Sequence, residues 1–164
     1  MLFRSYDDCI LIEKFIKGRV VECAVMGNYP AQASLPGEIV ISKDYEFYTF
    51  DAKYVDNKAV SIEVPATLDR EAVKKIQSLS LKTYQSLACE DFARVDLFLT
   101  DTGDVYVNEI NTIPGFTNSS MFPMMWLERG VSFTELITKL IGFATERFEK
   151  TKRAERNFNS ALKF

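Results

Sequence analysis

The sequence contains no histidine in 164 residues, so neither a histidine-based nucleophile triad nor a histidine-ligated metal can be built from it. Cysteine is scarce. Cys9, Cys23 and Cys89 make an odd number, and no two are spaced as CxxC. That argues against a disulfide framework or a zinc site and for a reducing, cytoplasmic setting. No apolar run approaches the roughly 20 residues that a membrane span requires. The opening MLFRSYDDC lacks a charged n-region, a long apolar stretch and a cleavage site, so no signal peptide is expected. No glycine-rich phosphate loop precedes the first apolar run. A net charge of −3 argues against a general nucleic-acid binder. What remains for chemistry is carboxylate, lysine and arginine.

What is present fits one globular domain. The chain is 47% hydrophobic and 26% charged, long enough to bury a core and free of low-complexity linkers. CILIEKFI (residues 9–16) and VVECAVMG (20–27) are apolar, β-rich runs separated by Lys17-Gly18-Arg19, which predicts a hairpin. Short strands are expected at 37–41, 47–50 and 60–64. Asp69 is placed to cap a helix running to about Ala88, with Val73, Ile76, Ser80, Tyr84 and Leu87 at helical spacing. DFARVDLFLT, DTGD and VYVNEI then read as strand, tight turn and strand. A helix over 122–128 is ended by Arg129-Gly130. A last helix starts at Ser132, where Ser132 and Glu135 form a capping-box pattern, and runs past Phe148. The main domain covers 1–150, and 151–164 is a basic tail or helix extension. A strand beginning within about ten residues of Met1, with nothing before it to pack on, reads as part of a longer protein.

The chemistry gathers in the strand–turn–strand unit. By alternation, Glu109 and Asn111 share a face with Val105 and Val107. A two- or four-residue turn sets Asp96 opposite Glu109 and Arg94 opposite Asn111, all four on one face; a three-residue turn would break that register. Facing carboxylates repel unless a proton or cation lies between them. Asp, Glu and Asn oxygens suit Mg²⁺, and Arg94 offers a fork for phosphate or carboxylate. The same residues serve equally as a salt-bridged strand face, Arg94 pairing with Asp96 or Glu109. After the strand, Pro114-Gly115 makes a turn, and Thr117, Asn118, Ser119 and Ser120 supply donors ahead of a helix. That arrangement suits either an anion or ordinary helix capping.

ARVDLFLTDTGDVYVNEINTIPGFTNSSMFP (93–123) resembles the carboxyl-terminal ATP-grasp segment of D-alanine–D-alanine ligases. ILIEKFIKG (10–18) and FDAKY (50–54) match other motifs of that family in the same order. The resemblance implies an α/β fold, a mainly antiparallel sheet with two or three helices on one side. It implies ATP and two Mg²⁺ ions (Mn²⁺ the alternative) held by Asp96, Glu109 and Asn111. It gives Arg94 and the Gly115 backbone a role in steadying charge on the reacting carboxyl. Ser120 and the Met121 backbone would hold the carboxylate of the second D-alanine. Glu13, Lys14, Phe15 and Ile16 would form the adenine hinge, Lys53 would reach the phosphates, and Tyr54 would mark an amino acid as second substrate. One position departs. Where the family has a ribose-gripping glutamate this chain has Val20, with Glu22 two residues on, so either Glu22 substitutes through a local shift or ribose binding is weaker or different. The family's amino-terminal and central lobes are not in the sequence, so they are the expected partners. The resemblance also allows a homodimer for the full-length protein.

Overall fold

The computed structural model describes residues 9, 11–28, 30–41, 60–117 and 119–152. The strands are β1 (Arg19–Met26), β2 (Gln32–Ala33), β3 (Gly37–Ile41), β4 (Val60–Glu63), β5 (Phe92–Leu99) and β6 (Val105–Asn111). The helices are α1 (Arg70–Ser86), α2 (Met121–Leu127) and α3 (Phe133–Lys152). The strands form one antiparallel sheet in the order β4-β3-β1-β5-β6, with β2 also paired to β1. The expected α/β sheet with three helices is therefore present. The expected strand at 47–50 and the tail beyond Lys152 lie outside the described residues.

The helices flank both faces of the sheet, not one. β1 and β5 are central, so alternate residues of each must be buried in opposite directions. Val21, Cys23, Val25, Ala93, Val95, Leu97 and Leu99 pack with Ile76 and Tyr84 of α1. Ala24, Met26 and Ile39 pack on the other face with Met121, Phe122, Met125, Trp126 and Leu136 of α2 and α3. A sequence with apolar residues at every position of a strand is the signature of this two-sided burial.

The 9–16 run is not a strand among the described residues. β1 has β5 along one edge and β2 and β3 along the other, so no edge remains for a preceding hairpin partner. Leu11 is 82% exposed and Ile12 is 85% exposed. Gly18 leads into β1 so close to β5 that an added Cβ would lie 2.6 Å from the Leu99 carbonyl oxygen.

Local signals set the helix ends. The Ala72 N–H donates to Asp69 Oδ1 at 2.8 Å, capping α1 as expected. The helix ends at Ser86, and Ala88 is left-handed (φ 51°). Leu87 is therefore exposed, past the buried stripe of Ile76, Ser80 and Tyr84. At α3 the capping box is complete. Glu135 Oε2 accepts from the Ser132 N–H (2.9 Å) and hydroxyl (2.8 Å), and the Glu135 N–H donates to Ser132 Oγ at 3.3 Å. Those bonds hold the exposed Glu135 carboxyl below its ordinary range. Further along, Arg147 Nη2 pairs with Asp91 Oδ2 at 2.8 Å, tying α3 to the start of β5.

The candidate active-site face

The β5–β6 turn is the odd-length one. Thr100 N–H donates to the Asp104 carbonyl (2.9 Å), leaving residues 101–103 in the loop, with Gly103 at φ +80°. Next to the turn, Leu99 faces Val105 and Leu97 faces Val107. Beyond it, Asp96 faces Glu109 and Arg94 faces Asn111. The difference is one residue, Asn108, which bulges out of the ladder and restores the register that the turn would have lost. The bulge also corrects one expectation. Val105 and Val107 share the α1 face with Leu97 and Leu99, whereas Glu109 and Asn111 lie on the opposite face with Arg94 and Asp96.

On β1 the residue facing Asp96 is Glu22. The charged face thus crosses three strands: Glu22, then Arg94 and Asp96, then Glu109 and Asn111. Arg94 grips Asp96 with two bonds, Nε to Oδ1 and Nη2 to Oδ2, both 2.7 Å. The same Nε lies 3.0 Å from Glu22 Oε2. Glu22 is 3% exposed and Asp96 8%, while Glu109 is exposed. Burial alone would lower the Arg94 pKa, but its hydrogen bonds to Asp96 and the charges of Glu22, Asp96 and Glu109 drive it above its ordinary value. Arg94 is a fixed cation here. The salt-bridged strand face read from the sequence is therefore real, with Asp96 as the partner.

That pairing leaves three carboxyl groups around one guanidinium, an arrangement with room for a further positive charge. The oxygens are of the kind a hard cation takes. Asn111 Oδ1 accepts from the Ile113 N–H at 3.1 Å, which orients the amide and leaves it a second lone pair. Among the described residues, no three of the cysteine and acidic side chains converge into a metal cage. The expected oxygen set is two acids and one amide.

The loop after β6 is anchored at both sides of Gly115. Pro114 is buried, and Phe116 sits 5.6 Å from Phe122 and 6.0 Å from Phe92, centroid to centroid. A Cβ on Gly115 would lie 2.9 Å from Ser120 Oγ. Ser120 is the N-cap residue of α2, yet its hydroxyl does not cap the helix. It accepts instead from the Thr117 N–H (3.0 Å) and pairs with the Thr117 hydroxyl at 2.8 Å. The Met121 side chain is buried, leaving its backbone as the part able to meet a ligand. Glu13, Lys14 and Phe15 are exposed and Ile16 half-buried, in an irregular segment leading into β1. Lys53 and Tyr54 lie outside the described residues.

Sequence reasoning missed Glu22 as the partner of Arg94. The sequence left open whether Glu22 takes over the ribose role absent at Val20; the side chain is buried against the guanidinium. The visible signal was an acid within an otherwise apolar central strand. Cys23, its neighbour, faces the other way, and burial pushes its thiol up to about 11, so it is no nucleophile.

Solved ligases share this fold. The D-alanine–D-alanine ligase from Coxiella burnetii matches with a TM-score of 0.76 and 37% identity, over 90% of this chain and 38% of that one. The D-alanine–D-alanine ligase from Bacillus anthracis complexed with ATP matches with a TM-score of 0.69 and 25% identity, over 85% of this chain and 42% of that one. The curated D-alanine–D-alanine ligase of Shouchella clausii is 48% identical over 149 residues, 91% of this chain. The family model described as D-ala D-ala ligase C-terminus matches residues 2–142, and the chain belongs to that family. It spans about 40% of the length of the Shouchella relative. No helix among the described residues is long and apolar enough to cross a membrane.

Proposed function

We propose that this chain is the metal-bearing and second-substrate side of a cytoplasmic ligase that joins two D-alanine molecules, using ATP, for peptidoglycan precursor synthesis. The observation that carries the reading is the register: Asp96 opposite Glu109 and Arg94 opposite Asn111, on one face beside an anchored loop. Asp96, Glu109 and Asn111 would hold Mg²⁺. Bound there, the metal would neutralise the phosphates of ATP while a D-alanine carboxylate becomes an acyl phosphate. Arg94, held as a cation, stabilises the negative charge that grows on the reacting carboxyl, and the Gly115 N–H adds a donor. Ser120 and the Met121 backbone orient the second D-alanine so that its amine can attack. Glu13, Lys14, Phe15 and Ile16 receive adenine mainly through backbone groups. Lys53 serves the phosphates and Tyr54 the second substrate.

The remainder of the relatives' length supports a two-sided cleft, with amino-terminal and central lobes supplying the other wall. The isolated chain is then expected to bind Mg-ATP but not to release phosphate in the presence of D-alanine. Titration of the chain with Mg-ATP tests the metal site. Binding should be lost in an Asp96→Ala/Glu109→Ala variant, and binding indifferent to that change would refute the assignment. Clear D-alanine-dependent turnover by the chain alone would overturn the one-wall reading.

A further inference from the structure

Arg94 and the proposed cation compete for the same carboxylate. Each Asp96 oxygen already accepts one bond of the Arg94 fork at 2.7 Å, so a cation arriving at its remaining lone pairs shares the carboxylate's charge with Arg94 and weakens that grip. A guanidinium left half-buried without a counter-charge would be costly, and one free to swing would be misplaced for the reacting carboxyl. Glu22 meets this need. It faces Asp96 from the neighbouring strand, is 3% exposed, and already stands 3.0 Å from Arg94 Nε. It lies two strands from Glu109 and Asn111, on the inner side of the guanidinium, where it is not among the expected metal ligands.

We infer that Glu22 is a positioning residue that keeps Arg94 in place when Asp96 turns to the cation. The inference rests on the metal reading above. Groups that orient a metal ligand in this way commonly change affinity by about 10–100-fold when altered, although they never touch the ion. Glu22→Gln keeps the shape and removes the charge. Glu22→Asp keeps the charge and withdraws it by one methylene. Neither removes the Asp96 fork, so both are expected to fold, and a thermal melt checks it.

The test is an NMR titration of the 164-residue chain with Mg²⁺ alone, following the Arg94 Nε–H signal and the Asp96 and Glu109 amides. In the wild type the Arg94 Nε–H should stay protected from solvent exchange at Mg²⁺ saturation. In both variants that protection should disappear once Mg²⁺ is bound, and Mg²⁺ affinity should fall about tenfold. A Glu22→Gln variant with unchanged affinity and protection would overturn the inference. So would Glu22→Asp behaving as wild type, since charge without reach would then suffice. If the wild-type Asp96 and Glu109 amides do not respond to Mg²⁺ at all, the metal reading itself falls and takes this inference with it.

Discussion

The two faces of β1 and β5 are built from alternate residues of the same strands, yet they follow different rules. Toward α1, Val21, Cys23, Val25, Ala93, Val95 and Leu97 are fully buried and apolar. On the other face, Ala24 and Met26 continue an apolar core under α2 and α3, but Glu22, Arg94 and Asp96 replace it toward the far end. One face is held by area removed from water and carries no charge to titrate in the carboxylate range. The charged end holds only while its charges match, and a buried ion pair contributes little to stability compared with an apolar replacement. Its place beside a loop with an anchored glycine is the arrangement that the proposed site requires.

The contrast predicts its own failures. The largest should come from Arg94→Met, which strands two buried carboxyls; at neutral pH a loss of about 3–5 kcal/mol is expected from breaking such a pair. In that variant the two buried carboxylates face no cation, an uncompensated charge that protonation removes. Their protonated forms then favour the fold, so stability should rise as the pH falls through the carboxylate range. Urea unfolding at neutral and mildly acidic pH measures this; a deficit that does not shrink in acid would contradict the charged-face reading. Leu97→Ala, on the apolar face, should cost about 2–5 kcal/mol, with the same deficit at both pH values. If the two variants share one pH profile, the distinction between the faces is lost.

Much of this arrangement was legible because it is local. Asp69, Ser132 and Glu135 act within one helical turn of where they stand, and each cap is as read. The pairing of Asp96 with Glu109 also followed from strand alternation, but the route to it did not. The turn is odd and Asn108 bulges, two departures that cancel at the site and leave their mark only on Val105 and Val107. Neither could be read locally, since a bulge depends on which side chains the core accepts. The 9–16 run failed for a related reason. Its β-rich composition was correct as propensity, but β1 has no open edge, a fact carried by strands far away in the chain. Glu22 was visible as a residue and opaque as a partner, because its contact with Arg94 depends on the β1–β5 register.

Smaller effects test whether the helices on the two faces are held independently. Asp69→Ala removes the cap of α1, and a loss of about 1 kcal/mol is expected, read as a lowered urea midpoint. The Arg94 Nε–H signal should be unmoved, since α1 lies across the sheet from the charged face.

The smallest effect belongs to α3, on the charged side of the sheet but at its surface. Hydrogen bonds from the Ser132 N–H and hydroxyl hold the Glu135 carboxyl below its ordinary range. A folded-state pKa below the unfolded one adds stability that is present above the unfolded value and lost as the pH falls through the folded one. Glu135→Gln should therefore flatten the fall in stability on acidification below the ordinary glutamate range, leaving the melting temperature at neutral pH slightly reduced. The amide can still accept from Ser132, so the helix should keep its start. An acid-unfolding curve with the wild-type slope would mean that the capping box contributes geometry without charge.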